Sequence, residues 1–381
     1  MKVLIAGDYC DRYRVYKSIQ KGDYSSILGD VKPSIEKADI SIVNFEFPIG
    51  SESAAPIIKC GPHLNGQSKA IEALQYAHFN VCTLANNHIL DQGAKCCIET
   101  RDLLEKSGFK TVGVGMNIEE AGQVLYLRKQ DVNLAIINCC EHEFSIATEK
   151  SAGANPLNPI QQYYAIQEAK RKADYILVIV HGGHEHFQLP SPRMQETYRF
   201  FIDAGADAVV NHHQHCYSGH EYYNGKPIYY GIGNFLFDHN ALRNNIWNEG
   251  YMVVIDFEKN HISSEVIPYH QCNSRPAVEL MKDTATFTDS FNRLSKIIQD
   301  ETLLRDEYEK WLNKTQSGYR ILFEPYSSKF TRKLFKLGLL PSFLNEKKIV
   351  KLIDFINCES HLDRIKYLLN KQLNNDRQRK I

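Results

Sequence analysis

The stretch Phe79–Gly93, "FNVCTLANNHILDQG", opens as a short apolar run and stops on two asparagines and a histidine, with an aspartate three residues further on. A strand edge that needs only a turn is closed more simply by Gly or Pro. Asn86, Asn87, His88 and Asp91 instead carry groups that bind metal, move protons or hydrogen-bond, so this strand tip reads as one that bears chemistry. The segment that follows, "GAKCCIETRDLLEKSG", repeats its apolar residues at three- and four-residue spacing, as an amphipathic helix does. Strand, loop and helix in that order form the repeating unit of an α/β fold.

The same unit recurs outward in both directions. "KVLIAGD", "ADISIVNFE", "LAIINCCEHE", "ADYILVIVHGGHE", "GADAVVNHHQH" and "PIYYGIGNFLFD" are apolar runs with polar or glycine-rich ends, and "PIQQYYAIQEAKRKA" is a further helix. "QVLYLRKQDVNLAIIN" and "YMVVIDFEKNHISSEVIPY" leave no room for a helix and predict antiparallel hairpins, hence mixed sheets. From about Val278 the character turns helical, with a strong 3.6-residue period in "FTDSFNRLSKIIQDETLLRDEYEKWLNK". A boundary is therefore expected between 272 and 280, dividing the chain into 1–272 and a helical region 273–381. Thr331 to Lys351 is locally basic, and Phe330, Leu334, Phe335 and Leu337 give it an amphipathic surface helix. Packing on the main domain is its simplest use, with membrane-surface or partner binding as the alternative.

Composition narrows the classes. The 381 residues suffice for a large core without staples, and 45 basic residues balance 45 acidic ones. A zero net charge gives no global field toward nucleic acid or an acidic membrane, so local charge must decide. Ten cysteines are scattered and include the adjacent pairs Cys96-Cys97 and Cys139-Cys140, which suits reduced thiols better than a disulfide scaffold. "MKVLIAGDYC" runs straight into a strand without a basic and then apolar leader, and no run reaches the roughly 18 apolar residues of a membrane span. A soluble cytoplasmic protein is the expectation.

Five strand tips carry candidate ligands: Asp8; Glu46; Asn87 with His88; His181 with Glu185; and His212, His213 and His215. In an open α/β sheet the carboxyl ends of the strands line the ligand-binding edge, so residues distant in sequence meet there. Carboxylate and amide oxygens mixed with imidazoles suit Zn, Mn or Fe better than Ca or Mg alone. The lack of a CxxC spacing argues against a structural thiolate zinc. Taken singly, "GD" is commonly a turn and "NHHQH" equally well a solvated loop; their joint placement at strand ends carries the reading.

The order "GD", "NFEFPI", "LANNHILDQG", "VIVHGGHEHFQLPS" and "FIDAGADAVVNHHQHCYSGHEYYNGKPIYYGIGNFLFD" resembles the CapA family of capsule and poly-gamma-glutamate synthesis proteins, from Met1 to Tyr269. That family is similar in fold to the calcineurin-like metallophosphoesterases. The resemblance implies a four-layer α/β/β/α sandwich with one or two divalent ions, Mn, Zn or Fe, at the strand ends; the C-terminal helical extension, read from its period, lies outside the resemblance. It implies Asp8 as first-strand ligand, Glu46 as bridging carboxylate, Asn87 as amide ligand, and His181, His213 and His215 completing the shell, with His88 as proton donor. Cys10 stands where phosphoesterases usually have a histidine, which leaves the first ion position weaker, single or differently occupied.

Asp91 is placed to hold the His88 imidazole or to cap the next helix. Glu185 is the general-base candidate, His184 and Asn234 are expected at the substrate, and Lys59 is the nearest anion clamp. The function expected is a metal-dependent hydrolase of a phosphoester or amide bond in capsule or exopolymer biosynthesis. A peptide or amino-acid epimerase, and a non-catalytic assembly subunit, are the alternatives. Its substrate would be a small molecule, peptide or polymer precursor, with a membrane-associated synthase complex as a further partner and no nucleic acid.

Overall fold

A computed structural model describes residues 1–259 and 261–378. The chain divides into two compact units, Met1–Asp306 and Glu307–Ile381. The first is built on sixteen strands among the described residues: β1 (Lys2–Cys10), β2 (Ile40–Phe45), β3 (Val81–Thr83), β4 (Lys110–Val112), β5 (Val114–Gly115), β6 (Leu125–Lys129), β7 (Val132–Cys140), β8 (Gly153–Ala154), β9 (Tyr175–His181), β10 (Ala208–His212), β11 (His220–Tyr223), β12 (Lys226–Tyr229), β13 (Asn234–Phe237), β14 (Glu249–Glu258), β15 (His261–Gln271) and β16 (Val278–Leu280). They form two large sheets, in the orders β16-β15-β14-β1-β2-β3-β4 and β11-β12-β10-β9-β7-β6, with β13 beside β1. Strands β1 to β4 run parallel, as do β7, β9, β10 and β12. Both expected hairpins are present, as β6-β7 and β14-β15.

The central strands are apolar on both faces because each sheet is covered twice. Leu4, Ala6, Val43, Phe45 and Cys82 pack with Val15, Ile19, Ala70 and Leu74 from helices Tyr13–Gln20 and Lys69–Tyr76, while the alternate residues Val3 and Ile5 are equally buried. Helices Pro159–Ala169 and Pro192–Ala204 cover the second sheet. The result is the expected four-layer α/β/β/α sandwich. Each buried Val, Leu or Ile in it is worth about 1.5–3 kcal/mol relative to exposure.

The run "PIYYGIGNFLFD" departs from the single strand expected. It splits into β12 and β13, which belong to different sheets, so the chain crosses the sandwich at Gly231–Gly233. That crossing brings the Gly233 carbonyl against β1, where Asp8 N donates to it at 3.3 Å and where a Cβ on Gly7 would collide with it. The β1-β2 register slips between Ala6 and Asp8, a bulge that re-aims the aspartate.

The change of sequence character near 278 falls between β15 and β16 of the first unit, which continues through helix Ala285–Gln299 to Asp306. Asp300 interrupts the long helical period, its Oδ1 accepting from Thr302 N and Leu303 N at 3.0 and 3.1 Å as the next helix begins. The second unit contains helices Lys329–Lys336, Glu346–Asn357 and Glu359–Gln378. All ten cysteines are unpaired. Among the described residues no helix is long and apolar enough to cross a membrane.

Candidate metal centre

The carboxyl ends of β1, β2, β3, β9 and β10 meet between the sheets and bring together all six expected ligands. Asp8 sits at the bulge two residues before the end of β1, Glu46 follows β2, Asn87 follows β3, His181 ends β9, and His213 and His215 follow β10. Ligand atoms of Asp8, Glu46 and His181 lie within 4.8 Å of one another. His181 Nε2 stands 3.1 Å from Asn87 Oδ1, 3.1 Å from His213 Nδ1 and 3.8 Å from Glu46 Oε1. His215 completes the other side, with Nε2 3.7 Å from Glu46 Oε1 and Nδ1 3.5 Å from Asp8 Oδ2. Two donors each about 2.1 Å from one ion, at tetrahedral or octahedral angles, are about 3.0–3.4 Å apart, close to these separations.

Glu46 supplies the test of fit. Its side chain is fully buried, yet neither carboxylate oxygen has a hydrogen-bond partner. Burial, reinforced by the charge of Asp8, pushes its pKa well above the ordinary carboxylate range. A buried carboxylate that faces imidazole edges without a hydrogen bond is costly alone and appropriate to a dication. Asp8 behaves oppositely: burial would raise its pKa, but His212, His215 and His181 outweigh that and hold it well below the usual range.

The loop chemistry explains both asparagines. Asn86 is structural: its Nδ2 donates to Phe45 O at 2.9 Å and its Oδ1 accepts from His88 N at 3.1 Å. Asn87 turns its Oδ1 to the centre and donates through Nδ2 to Glu143 at 2.9 Å. His88 Nδ1 lies 2.6 Å from Asp91 Oδ2, which also accepts from Leu64 N at 2.6 Å. Asp91 thus holds the imidazole rather than capping the helix, which starts after Gly93 at φ +92° without a side-chain cap. Burial, with the nearby Lys59 charge, lowers the His88 pKa against the opposing pull of Asp91.

Lys59, expected at the substrate, has its ammonium on Asp91 and 3.1 Å from His88 Nδ1, with 2% of the side chain exposed. Asn234, also expected at the substrate, accepts through Oδ1 at 2.9 Å from His215 Nδ1 and so orients that ring. Glu185 is exposed on the rim; burial would raise its pKa, but His215, His213, His186 and His88 bring it below the usual value. His184 is partly buried beside it, its pKa lowered by burial. Cys10 lies in the core that faces the helices, where burial raises its thiol pKa.

Several residues were not singled out from sequence. Asn44 Nδ2 donates to Asp8 Oδ1 at 2.7 Å and lies 3.2 Å from His181 Nδ1, bridging two ligands. Glu143, likewise not singled out, places Oε1 3.8 Å from His213 Nε2; His212, one of the strand-tip candidates, adds its Nδ1 3.2 Å from the same Asp8 oxygen. The composition of β2 offered one signal, since Asn44 follows the apolar pair Ile42-Val43 and stands two residues before Glu46. His213 and His215 adopt φ of +87° and +55°, unusual for residues with a side chain and characteristic of backbone strained at a functional site.

The family profile described as bacterial capsule synthesis protein PGA_cap matches residues 2–239. Capsule biosynthesis protein CapA of Bacillus anthracis is 28% identical over 246 residues, 62% of this chain and 60% of that protein. PGA biosynthesis protein CapA of Bacillus subtilis is 30% identical over 270 residues, 70% of each chain. The chain therefore spans under two thirds of the first relative's length and somewhat more of the second's. Among solved structures, a phosphatase from Mycoplasma pneumoniae aligns with a TM-score of 0.47 at 14% identity, covering 72% of this chain and 95% of that one. With its profile match running through every strand tip that forms the centre, the chain belongs to the bacterial capsule synthesis protein PGA_cap family.

Proposed function

We propose that the chain is a metal-dependent hydrolase of a phosphoester or amide bond in the making of a capsule or exopolymer such as poly-gamma-glutamate. The observation that carries this reading is Glu46, a buried carboxylate with no hydrogen-bond partner, set among His181, His215 and Asp8. Asp8, Glu46, Asn87, His181, His213 and His215 would hold one or two divalent ions, Mn, Zn or Fe. A divalent ion held there would supply the activation of water, whose pKa such ions lower toward about 7, and would polarise the bond to be cleaved.

The remaining groups are this chain's own. Asn87 would ligate through a neutral oxygen, adding no charge to a shell that already has two carboxylates. Asp91 fixes His88 through Nδ1, which leaves Nε2 to carry the proton given to the leaving group. Glu185, ionised among four imidazoles, is the base on the solvent side. Lys59 and Leu64 N hold Asp91 in place and so act through it.

The test is metal analysis of the purified protein with a screen of phosphoesters and gamma-glutamyl peptides, run on wild type and His213→Ala. Wild type should contain metal and turn over one class, and the variant should lose both. Turnover that survives the substitution contradicts the assignment. Metal loss with no turnover in either protein supports an assembly subunit instead.

A further inference from the structure

The second unit presents an apolar face that its own helices leave open. In helix Glu346–Asn357, the side containing Phe355 meets helix Glu359–Gln378, where the Phe355 and His361 rings are 5.4 Å apart. Ile349, Val350, Ile353 and Ile356, spaced to form one stripe, are 42%, 60%, 53% and 52% exposed. The preceding helix, Lys329–Lys336, exposes Phe330 at 71%, and the connection to the next helix exposes Leu339 and Phe343.

Charge indicates what covers this face. Between residues 329 and 357, the span of both helices, there are seven lysines and arginines against one glutamate and one aspartate, in a chain whose net charge is zero. Basic and apolar side chains interleave over both helices, the composition of a helix lying in the headgroup layer of an anionic bilayer. A second copy of this chain is a poor occupant, because an isologous contact would set this cationic surface against itself. The described helices do not span a membrane, so attachment is by lying on the surface.

We infer that helices Lys329–Lys336 and Glu346–Asn357 bind an anionic lipid surface, with Ile349, Val350, Ile353 and Ile356 entering the acyl boundary and the flanking lysines at the headgroups. Each such lysine is worth roughly fivefold in partitioning. The attachment is independent of the hydrolase reading, since no residue of the metal centre takes part.

The full-length chain is sedimented with vesicles of phosphatidylcholine, with and without about one third phosphatidylglycerol. Wild type should pellet only with the anionic vesicles and be released in about 0.5 M salt, where the Debye length is only a few ångströms. Lys347→Glu with Lys351→Glu should weaken binding by at least roughly 25-fold. Val350→Ser with Ile353→Ser should weaken it comparably, with both variants keeping the wild-type thermal midpoint and metal content. Equal binding to neutral vesicles, indifference to the lysine reversals, or no binding overturns the inference. A lower thermal midpoint in the serine variant would make the face part of the chain's own core, and a dimer dissociated by that variant would make it a self-interface; either result also overturns it.

Discussion

Glu46→Gln separates the cost of the centre without an ion from its value with one. In the metal-free protein Glu46 has two buried oxygens without hydrogen-bond partners and a pKa raised by burial and by Asp8. Leaving one such group unsatisfied costs about 1–3 kcal/mol, more when it is charged. The amide removes the charge but leaves its own buried N–H, so in a chelator the variant should be at least as stable as wild type at pH 8. Because the folded-state pKa of Glu46 lies above the unfolded one, the wild-type contribution is fully present in acid and is lost as pH rises from about 4 through the raised value. The variant should lack that slope. Metal at about a hundredfold excess over its dissociation constant adds about 2.7 kcal/mol, or about 5 °C in a domain of this size. That gain should appear in wild type and shrink below about 1 °C in Glu46→Gln. Thermal unfolding followed by circular dichroism, with chelator and with Mn, reads all three quantities. An equal metal-induced shift in both proteins, or a variant several degrees less stable in chelator, refutes the reasoning.

Three further outcomes follow from other contacts. Asp11 is buried with one oxygen unpartnered, and burial pushes its pKa up to about 7, so Asp11→Asn should stabilise the protein by at most about 4 kcal/mol above pH 7 and by almost nothing near pH 4, as denaturant titrations at both values would show. Asp91→Asn should lower turnover roughly 100-fold with metal content unchanged, because His88 loses the partner that stabilises its protonated form; a parallel loss of metal would point to a structural role instead. Gly7→Ala would force a Cβ into the Gly233 carbonyl and should cost about 1–3 kcal/mol in urea unfolding while loosening the Asp8 bulge; a neutral effect would contradict the close approach.

Residues whose chemistry is unusual for their place in a strand were legible from sequence. An aspartate, a glutamate, an asparagine and three histidines at the ends of apolar runs have few structural reasons to be there, and the fold collects them because parallel strands present their carboxyl ends on one edge. Residues acting through others were harder to read. Asn44 and Glu143 look like ordinary polar residues until Asp8, His181 and Asn87 are seen beside them, and Asn234 and Lys59 orient His215 and Asp91, partners distant from each in sequence. The split of "PIYYGIGNFLFD" was hidden because apolar periodicity is the same in either sheet, and only the glycines at 231 and 233 marked the crossing.

The most direct measurement is anomalous diffraction from a crystal equilibrated with Mn. A peak shared by Glu46 with Asn87, His181 and His213, within the roughly 2 Å reach of a coordination bond, is the predicted result. A crystal saturated with Mn that shows no peak there, with Glu46 protonated and hydrogen-bonded to a neighbour, would contradict the account.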